Sequence, residues 1–169
     1  MNLHPFLNQM AINAQSIQHL TAGVTDEQAR WKPAADSWSM LEAINHLYDE
    51  EREDFRVRLD IILHRQQAPW PSIDPQGWVT SREYNTRDLE QSAHNFLHER
   101  DQSLAWLRSL EAPDMEAMVM SRLGSMRAGD MFAAWVAHDL LHMRQLVELH
   151  YAYTTHLLRP YSPQYAGDW

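Results

Sequence analysis

The sequence contains no cysteine and only one lysine, and both shortages narrow its function. Without cysteine there is no disulfide scaffold, no cysteine nucleophile and no thiolate metal site. Of the 14 basic residues all but Lys32 are arginine, they form no run, and the net charge is −9. Because nucleic-acid-binding proteins usually carry a basic patch, this charge balance argues against a nucleic-acid partner.

Long hydrophobic runs are missing as well. No stretch approaches the roughly 18 uninterrupted apolar residues of a membrane-spanning helix. The first residues, MNLHPFLNQM, lack the basic start and the apolar core of a secretory signal peptide. We therefore expect no membrane partner and a cytoplasmic protein.

What is present is the composition of one globular domain. The 169 residues are 44% hydrophobic and 22% charged, with seven tryptophans and nine methionines. A chain of this length buries roughly 70% of its unfolded surface, so it needs no disulfide or metal merely to fold. We expect a single domain over residues 1–169, ending in an extended C-terminal tail over 154–169.

Apolar periodicity, capping residues and the placement of proline and glycine predict four long helices. They cover Pro5 to about Leu20, the stretch from the capping box at Ser39 to about Arg65, Thr86 to Leu110, and Gly129 to about Tyr153. No segment shows the alternation of a β-strand. The sequence therefore predicts an all-α four-helix bundle with a long connection, residues 66–85, between its second and third helices.

Ten histidines are present, and two pairs of them have helical i, i+4 spacing. This spacing places two imidazoles one turn apart on one face, where they can share a metal ion. His94 and His98 have polar neighbours, so we interpret them as facing solvent. His138 and His142 lie at the edge of a wide apolar arc, into which Asp139 also points.

A buried imidazole needs a polar partner, since an unpaired polar group in an apolar site costs about 1–3 kcal/mol. From spacing and burial alone, a shared cation and two hydrogen-bonded core histidines explain His138 and His142 equally well. His46 on the second helix lies nearly opposite the main apolar stripe. Periodicity alone therefore favours a solvent-facing His46 paired with Glu42 or Glu50.

Two segments form a motif pair. One is WKPAADSWSMLEAINHLYDEE, Trp31 to Glu51, and the other is AHDLLHMRQL, Ala137 to Leu146. The pair resembles the DinB/YfiT-like superfamily of small bacterial metalloenzymes, although the family often has two adjacent histidines where this chain has Leu141 and His142. The resemblance implies an up-down-down-up four-helix bundle.

The resemblance also implies a site for a divalent metal, commonly zinc or nickel, with His46, His138 and His142 as ligands. Three neutral imidazoles leave a coordination position free, as in catalytic sites. Glu50, one turn after His46, is a candidate general base or fourth ligand, and Asp49, which matches the acidic position of the family pattern, is a candidate for the same role.

Four further residues are candidates for supporting roles. Gln145 is a candidate for binding a cofactor or a metal-bound water, and Asp139 for orienting a ligand. Trp38 and Trp135 are candidates for the wall of a pocket. For each of these side chains taken singly, ordinary packing or surface hydrogen bonding is the favoured interpretation.

Characterised relatives include transferases and isomerases that use low-molecular-weight thiols such as bacillithiol, mycothiol or glutathione. The resemblance thus implies a metal-dependent enzyme with a small-molecule substrate, either a thiol-dependent transferase or a hydrolase. The alternative is a non-catalytic binding or structural bundle, for instance a homodimer, with a structural metal or none. Motifs of nucleotide-binding loops, serine hydrolases and zincins are not found in the sequence.

Overall fold

A computed structural model describes residues 1–121 and 124–167, and most of them are helical. The helices are α1 (His4–Thr21), α2 (Asp26–Arg30), α3 (Met40–Asp49), α4 (Arg56–His64), α5 (Pro75–Ser81), α6 (Leu89–Ser109) and α7 (Ala128–Leu157). A π-helical segment, Glu50–Phe55, joins α3 to α4. Two strands, β1 (Met118–Ser121) and β2 (Gly124–Arg127), pair antiparallel.

Local signals in the sequence explain where the helices begin and end. Pro5 lies in the first turn of α1, where its missing N–H has no helical partner to lose. Gly23, with φ +73°, follows that helix in the left-handed conformation that glycine adopts freely. At the start of α3, Ser39 and Glu42 form a complete capping box. Helices α1 and α3 therefore begin or end at the residues whose local signals predicted it.

Four helical columns pack in a ring. Helix α1 lies between α6 and α7, and the α3–α4 column lies between the same two helices on the other side. The buried apolar residues form two clusters. A cluster around Trp135, Phe132 and Leu59 fills one end of the bundle, and a cluster around Ile44, Phe96 and Leu146 fills the other. The protein is thus a helical bundle, as predicted.

A layer of buried polar residues separates the two clusters. Along α1 and α7 the chain passes from the Trp135 cluster to the Ile44 cluster, and along α3–α4 and α6 it passes the opposite way. Each column contributes polar side chains at the crossing: Asn13, His46, Glu51, Arg100 and Asp139 are all buried there. This polar layer places the candidate site in the middle of the bundle.

Three local features differ from the sequence prediction. The β1–β2 hairpin was not expected in an all-α chain, and it lies in the connection before α7. Helix α6 begins at Leu89 because the Asp88 side chain accepts a hydrogen bond from the Gln91 N–H, while Thr86 lies in a preceding 3₁₀ turn. Helix α7 continues to Leu157, so residues 154–157 are helical.

The segment after α7 also departs from the extended tail that was predicted to follow the fourth helix. Tyr161 and Tyr165 are largely exposed, and residues 164–166 form a 3₁₀ turn. Across the described parts of the chain, no helix combines the length and the apolar character needed to span a membrane.

Candidate metal centre

Three imidazoles meet between α3 and α7. His46 projects from α3, and His138 and His142 project from successive turns of α7. The Nε2 atom of His138 lies 3.3 Å from Nε2 of His46 and 3.1 Å from Nε2 of His142. All three ligand nitrogens lie within 4.8 Å of one another. The structure thus brings together the three histidines that the family resemblance assigned to a metal.

Burial keeps these imidazoles neutral. Desolvation, followed by the mutual repulsion of the histidines, lowers the pKa of His46 to about 3 and that of His138 to about 2. Desolvation also lowers the pKa of His142. Near neutral pH all three rings therefore lack a second proton, as metal ligands must.

The hydrogen bond of His142 fixes which of its nitrogens carries the proton. Its Nδ1 lies 2.8 Å from Oε1 of Gln145. Because an amide oxygen only accepts, Nδ1–H donates and Nε2 keeps its lone pair. That lone pair points towards His138. Gln145 is therefore a partner of a candidate ligand, which is the usual arrangement around metal-binding histidines.

The donor set fits a divalent cation. Nitrogens bound to zinc at about 2.0–2.1 Å in a tetrahedral arrangement lie about 3.3–3.4 Å apart. The observed separations of 3.1 and 3.3 Å are close to that value. Three neutral imidazoles whose ring nitrogens converge in this way could hold one shared cation.

Glu50 lies one turn beyond His46, at the first position of the π-helical segment. Its Oε1 is 4.0 Å from Nδ1 of His46, and among the described residues neither atom has a hydrogen-bond partner. Desolvation and the neighbouring Asp54 raise the pKa of Glu50 to about 8. A carboxyl group beside the histidines is thus set to exchange a proton near neutral pH. π-helical turns of this kind are frequent at functional sites.

Asp49, the other predicted acid–base residue, is directed elsewhere. Its carboxylate accepts hydrogen bonds from Arg82 at 2.5 Å, from Arg52 at 3.0 Å and from the Tyr84 hydroxyl. Arg82 and Tyr84 thereby anchor the connection between α4 and α6 to α3. The structure therefore brings Glu50, but not Asp49, towards the histidines with a free oxygen.

Aromatic rings surround the histidines. Trp38, half-buried, packs against His46 with ring centroids 4.8 Å apart and lies parallel to His142 at 6.4 Å. Phe55 packs against His138 at 4.9 Å. Trp135 is fully buried and stacks on Phe55 instead. Trp38 therefore stands where the wall of a site was predicted, while Trp135 belongs to the core.

Asp139 contacts a buried arginine. Arg100 of α6 donates both terminal nitrogens to Asp139 at 2.7 Å and pairs with Glu51 at 2.8 and 2.9 Å. Its last N–H bond reaches the backbone oxygen of Met10, 3.2 Å away. The Trp135 indole also donates to Glu51, at 2.9 Å. Asp139 therefore closes a core ion network rather than orienting a histidine ligand.

The sequence analysis did not predict this ion network. Two of its residues are neighbours in sequence of residues of the candidate site. Glu51 follows Glu50, and Asp139 follows His138. One signal was available, because Arg100 lies four residues after Phe96 and four before Leu104, on the apolar stripe of its helix. An arginine on such a stripe must find buried acidic partners.

The second histidine pair, His94 and His98, lies on the surface rather than in the polar layer of the bundle. His94 and His98 are exposed, as predicted. His94 borders a surface cleft of about 880 Å³ between the end of α1 and the start of α6, away from the three histidines.

Comparison with known proteins places this geometry in context. A family model described as the DinB superfamily matches residues 9–146. The solved structure of YfiT from Bacillus subtilis, described as a probable metal-dependent hydrolase with an unusual four-helix bundle topology, superposes with a TM-score of 0.76. It is 16% identical, and the match covers 86% of this chain and 84% of that one, so the likeness is one of fold. None of the curated proteins matches.

Proposed function

The chain belongs to the DinB superfamily, and on that premise we propose that it is a metal-dependent hydrolase of a small-molecule substrate. The observation that carries the proposal is the convergence of three neutral imidazole nitrogens from His46, His138 and His142. The description of YfiT as a probable metal-dependent hydrolase supports the same reaction class. Zinc and nickel are the cations we propose, since imidazole nitrogen suits both.

A bound divalent cation would supply Lewis acidity, which polarises a substrate and generates a nucleophile near neutral pH. The side chains of the chain supply the rest. Gln145 holds the ring of His142 in one tautomer, and Trp38 shields the histidines on one side. Glu50 carries a proton beside His46 and is the general acid–base group of the proposal.

A thiol-dependent transfer is the second candidate. The chain has no cysteine, so a thiolate at this site would have to come from a small molecule such as glutathione or bacillithiol. The same three histidines and the same Glu50 would serve that reaction. Turnover of an electrophile only when a thiol is added would select transfer, and turnover in water alone would select hydrolysis.

Metal content tests the site itself. We expect purified protein, free of any affinity tag, to hold about one zinc or nickel ion per chain by elemental mass spectrometry, and His142→Ala to lose it. His142 is half-buried and its side chain lies within hydrogen-bond distance only of Gln145 and His138 among the polar groups of the described residues, so the variant should fold normally. The matched control is His98→Ala, which removes an exposed imidazole and should keep the metal.

The metal-content result has a clear opposite. If wild-type protein stays free of metal after incubation with zinc and nickel salts, the three-histidine site is refuted. A non-catalytic bundle then becomes the better description. Bound metal without any turnover of ester or amide substrates would instead favour a structural ion.

Glu50→Gln tests the proton-carrying group. We expect hydrolysis of 4-nitrophenyl acetate by the metal-loaded protein to slow by about 10²–10⁴-fold, the usual contribution of general acid–base catalysis. Metal content should be unchanged, because Glu50 is outside the three-histidine set. The control is Asp49→Asn. This change weakens the contacts with Arg82 and Tyr84, so it should lower stability but leave the rate within about threefold. The opposite ranking of the two variants would assign the proton to Asp49.

A further inference from the structure

Three charged residues continue from His46 along the α3–α4 column. Glu50, Asp54 and Arg58 follow His46 at intervals of four residues, which places them on one side of the column, and we call these three the charged row. Glu50 and Asp54 lie in the π-helical segment and are only 5% and 6% exposed, and Arg58 lies in α4 with its side chain 13% exposed. Charged groups at this depth are costly unless they pair, so the contacts within the row decide where each carboxyl group points.

Asp54 is the middle member of the charged row and contacts both of the others. The Nε atom of Arg58 lies 2.7 Å from Oδ1 of Asp54, a close ion pair rather than an aligned hydrogen bond. On the other side, a hydrogen bond joins the carboxyl groups of Asp54 and Glu50. Two carboxyl groups form such a bond only through a shared proton, and Arg58 offsets the charge that remains. Asp54 therefore lies between Glu50 and the cation of the row.

Arg58 is held from outside the row by the connection between α4 and α5. Its guanidinium donates to the backbone oxygen of Pro71 at 3.2 Å and lies over the Trp70 ring, 5.0 Å from the ring centroid. Trp70 in turn packs against the buried cluster around Trp135. An arginine with a carbonyl oxygen, an aromatic face and a carboxylate as partners has little freedom to move. The far end of the charged row is therefore anchored to the core.

The near end of the charged row is the Glu50 carboxyl group, which faces the histidines. Its Oε1 lies 4.0 Å from Nδ1 of His46 and, within the described residues, has no hydrogen-bond partner that would hold it there. Arg58 attracts the same carboxyl group along the helix. Without Asp54 between them, this attraction would turn the Glu50 side chain away from His46 and towards Arg58. Because Asp54 both neutralises Arg58 and bonds to Glu50, it keeps the carboxyl group in place.

We propose that Asp54 and Arg58 are positioning residues, which hold the Glu50 carboxyl group beside His46. The placement itself depends only on side chains of this chain. Its effect on catalysis rests on the proposed function, in which Glu50 is the general acid–base group. The two parts are therefore tested by different measurements.

Crystal structures of the metal-free wild type and of Asp54→Ala test the placement. We expect Oε1 of Glu50 to stay near the 4.0 Å separation from Nδ1 of His46 in the wild type. In Asp54→Ala the Glu50 side chain should adopt another rotamer, directed towards Arg58. If Asp54→Ala does not fold, Arg58→Met provides the second variant, because it removes the cation that fixes Asp54.

A matched variant controls for the loss of an arginine from the same helix. Arg56→Met makes the same change two residues before Arg58, at a side chain that pairs with Glu99 and donates to Ser103 of α6 instead. Glu50 should keep its wild-type position in this variant. Circular dichroism shows whether each variant is folded.

Rates of 4-nitrophenyl acetate hydrolysis by the zinc-loaded protein test the effect on catalysis. We expect Asp54→Ala to lower kcat by about 10–100-fold and to leave KM within about twofold, since it acts on a group used in the transition state and not on substrate binding. Arg58→Met should lower kcat about tenfold, while Arg58→Lys keeps a cation beside Asp54 and should stay within about threefold of wild type. Zinc content should be unchanged in all three, because neither residue is a ligand.

A double-mutant cycle separates positioning from a general structural effect. If Asp54 acts through Glu50, adding Asp54→Ala to Glu50→Gln should cost less than about twofold in kcat, because no carboxyl group is left to position. A structural role would cost the same in both backgrounds.

Three outcomes would overturn the proposal. They are a Glu50 side chain that keeps its position in Asp54→Ala, a kcat that this variant leaves unchanged, and an equal cost of Asp54→Ala with and without Glu50. A zinc-loaded wild type without hydrolytic activity would instead count against the proposed function, and the crystal structures would still decide whether Asp54 and Arg58 hold Glu50.

Discussion

Arg100→Leu is expected to lower the free energy of unfolding by about 3–5 kcal/mol, the usual effect of breaking a buried ion network by removing one partner. All five N–H bonds of Arg100 are used, and Glu51 and Asp139 face it from two other helices. Without the guanidinium, two carboxylates remain buried with no cation beside them. Equilibrium unfolding in urea at neutral pH measures the change.

A matched substitution controls for the loss of an arginine from this helix. Arg108→Leu makes the same change on α6 at an exposed position, where we expect a change within about 0.5 kcal/mol. Arg100→Lys keeps the charge but has three donors in place of five, so its loss should fall between the two. Equal effects of Arg100→Leu and Arg108→Leu would show that the network contributes little.

The ion network around Arg100 links the helices that carry the candidate site. Asn13 donates to Asp139 at 3.2 Å, so the network joins α1, the π-helical segment, α6 and α7. These are the four columns of the bundle. Glu51 and Asp139 each adjoin a residue of the site, and a shift in either helix would move a histidine. We therefore expect Arg100→Lys to weaken metal binding as well as stability.

The helices were predictable because their signals are local. The capping box at Ser39, Pro5 and Gly23 act within one turn of their own positions. The β1–β2 hairpin was not predictable in the same way. Its strands have four residues each, too few for an alternation to stand out from the surrounding connection.

The site could be predicted only in part from periodicity. His138 and His142 were identified by their spacing, whereas His46 lay off the apolar stripe of its helix. The structure explains this, because α3 is buried all round: every one of its residues except Tyr48 is buried, His46 included. A single apolar stripe therefore does not mark all the buried positions of this helix. His46 is buried in the polar layer between the two cores, and only the family resemblance assigned it to the metal.

Zinc affinity is expected to resist acid to an unusual degree. For three imidazoles with the ordinary pKa of about 6.5, lowering the pH from 7.0 to 5.5 would weaken binding by about 600-fold, since protons compete at each ligand. Here the pKa values of His46 and His138 are about 3 and about 2. These two rings are therefore already unprotonated at pH 5.5, and only His142 can still bind a competing proton. Lowering the pH from 7.0 to 5.5 should therefore weaken zinc affinity by less than about tenfold.

The contribution of Glu50 to the pH dependence of zinc binding must be measured separately from that of the histidines. Its pKa is raised, to about 8, whereas theirs are lowered. If the Glu50 carboxyl group loses its proton when zinc binds, one further proton is released on binding. Acid then weakens the zinc affinity of the wild type more than the histidines alone would. The measurement is therefore made by calorimetry on Glu50→Gln as well as on the wild type, at both pH values and in two buffers of different ionisation enthalpy. At pH 5.5 the variant should release at most about one proton, from His142, and the wild type at most about two, against nearly three for ordinary imidazoles. A release of two or more protons by the variant would show that the histidines are charged before zinc binds, and that their burial does not prepare them as ligands.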